Sequence, residues 1–495
     1  MTSTQRERSE LAYARRVLTV SAVGAVLSGV NTSTMDVALP VVSRHFDASA
    51  SGASWTLLAY MLVNTALIFV FGRVADMVGR RRLYLIGLAT LTGGSLLCGF
   101  APTIGWLIGF RVVQAVGAAA LLCNVTALIT DAFPVGKLST ALGINVSIAA
   151  LAQVLGPVIG GALVTGLGWR AVFLFNVPIG VAGLVWARLS LRPGAPPGAR
   201  EPFDYLGALL STLALGGLVA ALSEGGAIGW TSTPVLVGAL LFALATPAFL
   251  LVESRRRHPL LDLRLFADRE RSLAYLSLFL MALARFAVVL LVSLYLQAAR
   301  GMGPFQAGVH VMWVAIGMAA ASPLVGRLAQ RYGARLLSSA GMAITAAGLL
   351  GLCALIAPDV GEVGLGACLL AIGVGSGTFM TPNTSAIMVS VAAGRRGIAN
   401  GVRQTTQNAG YVVSTALSLA IVTTSLSAAD KRAAYAGTLS RLSRHALGDF
   451  TSSYRLALLV LAGVCLVGIV ASLSRNPQPT GGERRIEQPL GATRL

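Results

Sequence analysis

Gly72-Arg-Val-Ala-Asp76-Met-Val-Gly79-Arg80-Arg81-Arg82 is a short basic stretch between two long apolar runs. A degraded copy, Gly326-Arg-Leu-Ala-Gln330-Arg-Tyr-Gly333-Ala-Arg335, lies in the same setting far downstream. Glycines permit a tight reversal of the backbone, and consecutive arginines favour the cytoplasmic side of a membrane. A basic glycine turn that is used twice between apolar segments predicts a duplicated membrane protein.

The composition is typical of a protein embedded in lipid. Hydrophobic residues make up 55% of the 495-residue chain and charged residues 12%, with a mean hydropathy of +0.76. A membrane core of about 30 Å needs roughly 20 apolar residues per helix, and the chain offers run after run of that length. We predict an all-α membrane protein with fourteen transmembrane helices at 17–41, 53–72, 83–101, 104–130, 139–166, 171–191, 204–223, 234–252, 271–298, 305–328, 336–357, 361–390, 398–425 and 453–473.

The two glycine turns have the same offset from the start of their repeat. The first begins at 72, which is 55 residues after 17, and the second at 326, which is 55 residues after 271. Two six-helix bundles therefore flank an inserted helix pair. The predicted segments are a cytoplasmic N-terminus (1–16), the first bundle (17–192), linkers with the inserted helices (193–270), the second bundle (271–474) and a cytoplasmic tail (475–495).

The formal charge of +19 is better explained by topology than by nucleic acid. A nucleic-acid site would cluster Lys and Arg on a soluble domain, and none is predicted here. Most of the 38 basic residues instead fall on one set of loops and termini. The positive-inside rule then places both termini in the cytoplasm, with membrane lipid around the helices. Basic charge is almost entirely Arg, with Lys only at 137 and 431, which hints at a bacterial genome and so at a bacterial inner membrane.

Neither a cofactor nor a metal is expected. The five cysteines lie in apolar runs without CxxC or histidine spacing, which indicates neither a metal site nor a disulfide. No GxxxxGK[ST] motif is present, so ATP is not expected to drive the protein. No persuasive Ser-His-Asp arrangement occurs either, and we do not expect an enzyme.

The glycine turn resembles the loop 2–3 signature of the major facilitator superfamily. Together with the motifs below, the resemblance extends to that superfamily's fourteen-helix drug:proton antiporters and covers nearly the whole chain. It implies a conformational latch made by Gly72, Asp76, Gly79, Arg80 and Arg81, in which Asp76 holds the outward-open state against the start of the helix near 397–403. Gln330 replaces the acid in the second copy, so the latch is expected on one side only. A purely topogenic loop is the alternative.

A second motif, Arg111-Val-Val-Gln114-Ala-Val-Gly117, resembles the family's RxxQGxG, with Ala115 where glycine is usual. A guanidinium in hydrocarbon costs about 2.5–3.5 kcal/mol on insertion scales, so Arg111 needs a partner or a wet cavity. The resemblance implies a role in proton transfer. A structural hydrogen-bonding arginine is the alternative.

A third motif, Gln153-Val-Leu-Gly156-Pro157-Val-Ile-Gly160-Gly161, resembles the antiporter signature gxxxGPxxGG. Pro157 removes a helical hydrogen bond, and the glycines let a neighbouring backbone approach closely. In the superfamily this motif favours exporters over importers. A packing helix rich in glycine and proline is the alternative.

The first helix ends in Asn31-Thr-Ser-Thr-Met-Asp36-Val-Ala-Leu-Pro40, which resembles the subgroup's LDxTIVNVALP with the acid and the amide exchanged. Asp36 is the acid well inside this helix and our candidate for the proton site. A structural acid at a helix end is the alternative. Another stretch, Asn400-Gly-Val-Arg403-Gln404-Thr-Thr-Gln407-Asn408, resembles the subgroup without indicating a particular chemistry.

A substrate cavity is expected between the halves, where adaptable aromatic and methionine side chains can bind varied lipophilic ligands. Arg285 must face protein or cavity, and it makes the interior basic. We therefore expect neutral, zwitterionic or anionic amphipathic substrates rather than multivalent cations. The candidate substrate-binding residues, each of which could instead face lipid or core, are Asn31, Trp55, Tyr60, Met61, Gln114, Phe279, Arg285, Phe286, Trp313, Phe379, Met380 and Gln407.

The resemblance implies a secondary active transporter that exports lipophilic or amphipathic small molecules, such as drugs and antibiotics, in exchange for protons by alternating access. A lipid or metabolite translocase of the same fold is an alternative. A non-transporting membrane receptor or scaffold is a third hypothesis. A monomer is the expected state.

Overall fold

The computed structural model describes residues 3–192, 204–256, 263–356, 361–391, 396–439 and 444–476. Apart from a 3-10 turn at Leu263–Phe266, the regular elements in these ranges are α-helices. They are α1 (Ser3–His45), α2 (Ala50–Val78), α3 (Arg80–Gly99), α4 (Ile104–Ala132), α5 (Val135–Leu167), α6 (Arg170–Leu174), α7 (Asn176–Ser190), α8 (Tyr205–Ile228), α9 (Thr233–Arg255), α10 (Arg269–Arg285), α11 (Ala287–Ala298), α12 (Pro304–Leu355), α13 (Glu362–Val389), α14 (Arg396–Thr424), α15 (Ala428–Tyr435) and α16 (Arg444–Leu473).

Polar caps mark where several helices begin. The side chains of Ser49, Thr103 and Asp268 each accept a hydrogen bond from a backbone N–H in the first turn of the following helix. Such caps satisfy N–H groups that have no partner within the helix. The polar breaks in the apolar sequence therefore act as helix starts.

Twelve helices in the described ranges are long and apolar enough to cross a membrane. The prediction was fourteen. The segments predicted at 139–166 and 398–425 are helical, as α5 and α14, but neither is among the twelve. A mean hydropathy lowered by polar side chains, as along the start of α14, weakens the signal on which such a count depends.

Several boundaries differ from the prediction. Helix α1 begins at Ser3 and includes most of the segment expected as a polar N-terminus, while α2 continues past 72 to Val78. The loop expected at 426–452 contains α15 and the first turns of α16. Only residues 475 and 476 of the predicted tail are described, and the linker at 193–203 lies outside the described residues.

The two halves of the chain pack as helix bundles with their own buried cores. We call the end of the bundles at Gly79 and Gly333 the inner end, and the end at His45 and Ala298 the outer end. The inserted helix α8 lies against both α2 and α14. Glu224 of α8 accepts hydrogen bonds from the Ser51 hydroxyl and the Trp55 indole N–H, each at 2.6 Å. The insert therefore touches both halves.

The two glycine turns have the same backbone geometry. Gly79 has φ 96° and ψ 132°, and Gly333 has φ 72° and ψ 158° within the segment assigned to α12. These angles lie in a region that residues with a Cβ rarely adopt. The segment assigned to α12 is therefore two helices that meet at Gly333, in agreement with the helices predicted at 305–328 and 336–357, and each of the two contributes one of the twelve candidate spans. Gly72 lies inside α2 and does not form the reversal, which corrects its expected part in the turn.

Gly79→Ala is expected to lower the free energy of unfolding by about 1–3 kcal/mol, because alanine is strained at this φ. Gly72→Ala is the matched control: an added Cβ meets no atom within 4 Å, and alanine favours a helix by about 0.5–1 kcal/mol. Thermal unfolding of the purified variants in detergent measures both changes. Equal shifts in the two variants would contradict this account of the turn.

Candidate functional site

A cavity lies between the two halves. Helices α1 and α5 form one wall, and the α10–α11 junction and α12 form the other. The volume open to the centres of water-sized molecules is about 40 Å³, which is room for a few waters but not for a drug-sized ligand. The lining residues are Thr32, Ser33, Asp36, Gln153, Pro157, Arg285, Phe286, Val289, Val311, Val314, Ala315 and Met318.

Asp36 lies in the wall of this cavity and is 8% exposed. Its carboxylate makes no hydrogen bond or ion pair within the described part of the chain, and Arg111 acts on it through electrostatic interaction. An ionised carboxylate that leaves water without a bonded partner is costly, and a bound proton removes that cost. The position is therefore suited to binding and releasing a proton.

Arg111 lies behind the cavity wall and does not line the cavity. It is 1% exposed. Its Nε donates to the Thr56 carbonyl oxygen at 3.1 Å, and its Nη1 donates to Asn31 Oδ1 at 3.4 Å and Gln114 Oε1 at 2.9 Å. Its Cζ lies 4.4 Å from the centre of the Tyr60 ring. Arg111 thus joins α1, α2 and α4.

Three predicted substrate-binding residues belong to this arginine network. Asn31, Tyr60 and Gln114 are buried and contact Arg111. Gln114 also donates to the Ser95 hydroxyl at 2.7 Å. None of the three lines the cavity in this structure, and their part in binding a substrate stays a prediction.

The glycines of the third motif bring α5 against α1. A Cβ built on Gly156 would lie 1.7 Å from Ser33 Oγ, and one on Gly160 would lie 2.8 Å from Thr34 Cα. Only a hydrogen at these positions permits so close an approach. Ser33 and Asp36 lie less than one turn apart on α1, so this contact sets the position of the acid.

The same motif also touches the other half. A Cβ on Gly161 would lie 2.6 Å from the Pro304 carbonyl oxygen, and one on Gly308 of α12 would lie 2.4 Å from the Pro157 carbonyl oxygen. Helices α5 and α12 therefore meet backbone to backbone. The motif lies at the junction between the halves, beside the cavity.

Gly156→Ala is expected to destabilise the protein by about 1–3 kcal/mol, because the added methyl group overpacks the contact with Ser33. Gly166→Ala in the same helix meets no atom within 4 Å and serves as the control. Combining Gly156→Ala with Ser33→Gly should recover part of the lost unfolding temperature, since it removes the colliding side chain while glycine itself costs a helix about 0.5–1 kcal/mol. Failure of this double variant to recover would contradict the proposed contact.

Two of the predicted substrate-binding residues do line the cavity. Arg285 donates from Nη2 to the Tyr411 hydroxyl at 3.5 Å, and its Nη1 lies 3.9 Å from Met318 Sδ. Phe286 stacks on Tyr411 with ring centres 4.0 Å apart and an interplanar angle of 21°. The Ala287 N–H donates to the Ser414 hydroxyl at 3.0 Å, where α10 and α11 meet. The cavity wall therefore carries a cation beside the Phe286 ring, on which Tyr411 stacks.

Four of the predicted substrate-binding residues lie away from the cavity. Trp313 is 42% exposed on the outer surface of the bundle, and Phe379 is 0% exposed in a core cluster with Tyr275 and Met342. Phe279 and Met380 pack against core clusters. None of these four residues lines the cavity in this structure, and their expected part in substrate binding stays a prediction.

The other three lie nearer the junction of the halves. Met61 Sδ is 3.8 Å from the Thr415 hydroxyl, which donates to it across the halves. The Trp55 indole N–H donates a hydrogen bond to Glu224 of the inserted helix α8. Gln407 donates from Nε2 to the Tyr411 hydroxyl at 2.6 Å. Of these, Gln407 is linked to the cavity through Tyr411.

Sequence reasoning missed some of the cavity wall. Thr32, Ser33 and Met318 line it, and Tyr411 joins Arg285 to Gln407. The spacing of Thr32 and Ser33 from Asp36 along α1 could have indicated the first two. Tyr411 is 126 residues from Arg285, so only the tertiary structure brings them together.

The expected latch is described only in part. Arg80 forms an ion pair with Asp131 at the end of α4, and Arg81 donates to the Arg188 carbonyl oxygen at 3.1 Å, so the turn ties α3 to α4 and α7. Asp76 lies in α2, but its side chain is outside the described part of the structure, as is that of Gln330. The latch itself therefore stays a prediction.

Comparison with known proteins agrees with this architecture. The family model described as Major Facilitator Superfamily matches residues 21–252 and 274–494. The chain belongs to the Major Facilitator Superfamily. It is therefore a multi-pass membrane protein and a secondary transporter, not an enzyme.

Relatives within the superfamily differ in what they are named for. The multidrug resistance protein Stp of Mycobacterium tuberculosis is 34% identical over 417 residues, covering 83% of this chain and 76% of Stp. The riboflavin transporter RibZ of Clostridioides difficile is 28% identical over 459 residues, covering 92% and 96%. Their names imply small-molecule substrates for this superfamily member.

A solved structure shares the fold. A bacterial homologue of the human lysosomal transporter Spinster, in an inward-facing and unoccupied conformation, aligns with a TM-score of 0.65 and 16% identity, covering 94% of this chain and 99% of that one. At this identity the likeness concerns the fold alone. It supports the all-helical fold described above.

Proposed function

We propose that this transporter exports lipophilic or amphipathic small molecules, including drugs or antibiotics, in exchange for protons. The observation that carries the proposal is that Asp36 lines the cavity between the halves together with Arg285 and with Gln153 and Pro157 of the antiporter-like motif. A titratable acid and a residue proposed to bind substrate thus line the same cavity. Similarity to the Stp protein supports drugs as cargo.

The hydrogen bonds between the halves support alternating access. The Gln297 amide donates to the Val37 carbonyl oxygen at 3.1 Å, and Arg44 Nε donates to the Ala436 carbonyl oxygen at 3.0 Å, both at the outer end. Among the described residues, hydrogen bonds that join the halves lie at this end or near Met61. The halves are therefore in contact at the outer end, and in alternating access a rocking motion would separate them there.

In the proposed cycle, Asp36 takes a proton in one state and loses it in the other, and Arg111 holds α1, α2 and α4 around it. Each protonation state favours one arrangement of the halves. The proposed arrangement has fourteen transmembrane helices, with α5 and α14 completing the bundles. It places both termini in the cytoplasm of a bacterial inner membrane and requires one chain, membrane lipid and no cofactor.

The proposal is tested with purified protein in proteoliposomes and radiolabelled chloramphenicol, a neutral antibiotic. An imposed pH gradient should drive its transport, and collapsing the gradient with a protonophore should stop it. Transport at the same rate with and without the gradient would refute proton exchange.

A second candidate function is transport of a planar metabolite. It is favoured by the similarity to the RibZ riboflavin transporter along nearly the whole length of both chains. The same vesicles supplied with riboflavin separate the two candidates. Saturable riboflavin flux without chloramphenicol flux would favour the metabolite transporter.

A further inference from the structure

A row of polar side chains follows one face of α14. Asn400, Arg403, Gln407 and Tyr411 recur every three or four residues, which places them on the same side of the helix. Arg403 donates from Nε to Asn400 Oδ1 at 3.0 Å and from Nη1 to Gln407 Oε1 at 3.1 Å. Gln407 donates to Tyr411, whose hydroxyl also accepts from Arg285. A continuous chain of hydrogen bonds therefore runs from the start of α14 to the cavity.

Both guanidinium groups of this row are bonded to neutral partners. Arg403 donates to the side chains of Asn400, Gln404 and Gln407, and Arg285 contacts Tyr411 and Met318. Neither arginine forms an ion pair with a carboxylate within the described ranges. A cation inside a membrane protein is costly without a counter-charge. An anion entering between the halves would supply one.

The surroundings of Arg285 define the shape of that anion. The Phe286 ring lines the cavity next to Arg285, and the Tyr411 ring stacks against it. A guanidinium binds an oxyanion through two parallel N–H groups, and a planar ring stacks favourably on aromatic side chains. The combination fits a molecule that carries an anionic oxygen group on an aromatic body.

We infer that Arg285 and Arg403, linked through Gln407 and Tyr411, form a recognition site for the anionic group of an amphipathic aromatic substrate. This inference rests on the proposed export function and specifies its substrate class. Arg403 and Tyr411 are eight residues apart, or about 12 Å along the helix. Arg403 therefore meets the anion nearer the inner end, and Arg285 holds it in the cavity.

Binding requires the cavity to widen, because about 40 Å³ does not admit an aromatic ring system. The ligand then selects a more open arrangement of the halves. The two arginines lie in the second half, on α10 and α14, whereas Asp36 lies on α1. Proton and anion are thus held by opposite halves.

Equilibrium binding to the full chain in lipid nanodiscs tests the site with three radiolabelled probes that share one ring system: naphthalene-2-sulfonate, naphthalene-2-sulfonamide and 2-naphthyltrimethylammonium. The sulfonate and ammonium charges do not change with pH. We expect the sulfonate to bind about tenfold more tightly than the sulfonamide, in keeping with hydrogen bonds to a charged group, and the cation to bind most weakly. Equal affinities, or a preference for the cation, would overturn the inference.

Arg285→Gln and Arg403→Gln should each reduce sulfonate affinity by about tenfold and leave sulfonamide affinity unchanged. Arg285→Lys should recover part of the loss because it restores the charge. Arg432→Gln, an exposed position on α15, is the control and should change neither affinity. Retention of the full anion preference in both Gln variants would overturn the site.

If a Gln variant does not fold, Tyr411→Phe decides instead. It removes the hydroxyl between Gln407 and Arg285 and should weaken the sulfonate alone. An unchanged sulfonate affinity in Tyr411→Phe would then count against the site. Anion preference without pH-driven flux in vesicles would refute the export function and leave the site standing, whereas flux without anion preference would do the reverse.

Discussion

Asp36→Asn is expected to abolish transport driven by a pH gradient while the protein remains folded. Asparagine has nearly the size of aspartate but does not exchange a proton near neutral pH, so the free-energy coupling between the proton and the cargo is lost. The gradient-driven rate in proteoliposomes should fall by about tenfold or more, to the rate without a gradient. Binding of cargo at equilibrium should persist.

Asp47→Asn provides the matched control. Asp47 is an exposed acid just beyond α1 with φ 45°, a backbone conformation that asparagine also adopts readily. It should transport like the unmodified chain. Full gradient-driven transport by Asp36→Asn would show that the proton is carried at another position.

Arg111→Leu is expected to cause the largest loss of stability, about 3–5 kcal/mol, because it leaves buried acceptors without their donor. Those acceptors are the Thr56 carbonyl oxygen, Asn31 Oδ1 and Gln114 Oε1. Transport should be lost as well, since α1 and its acid are no longer held against α4. Thermal unfolding in detergent and flux in vesicles measure the two effects.

Arg111→Lys separates the effect of the planar guanidinium from that of its charge, and Arg170→Leu is the control. Arg111→Lys keeps the charge but replaces the planar group, so it should lose only part of the stability. Arg170→Leu removes an exposed arginine that lies over the Trp169 ring, and its cost should be about 0.5–1 kcal/mol. An Arg111→Leu protein as stable and as active as the Arg170→Leu control would contradict the network.

Much of the helical frame could be predicted because its signals are local. Apolar runs predicted most of the helices, and the duplicated glycine turn predicted that the chain has two similar halves. Gly79 and Gly333 confirm that the turn recurs with the same geometry. Gly72 was misplaced because a helix tolerates glycine, and composition does not reveal where the reversal begins.

The cavity was harder to predict because apolar helices carry no clear face. Trp313 and Phe379 are chemically suited to a ligand, to lipid and to core, and only packing separates these environments. Charged groups were better guides, since Arg285 and Asp36 do share the cavity. Arg111 was expected to need a partner or a wet cavity, and it has hydrogen-bond partners from three helices behind the cavity wall.

Distant pairs lay beyond sequence reasoning. The contact between Arg285 and Tyr411 depends on how α10 and α14 pack, and the fit of Gly161 against Pro304 depends on the approach of two halves. Such contacts follow from tertiary geometry, which a single sequence does not encode as a local pattern.

The small volume beside Asp36 has a consequence for the order of events. Under the proposed mechanism, a cavity that admits a few waters but no cargo works as a size filter, because water can carry protons to the acid while the cargo is excluded. Protonation can therefore occur on an empty carrier, separate in time from loading. This order of events limits uncoupled transport, because the proton and the cargo need not occupy the protein at the same time.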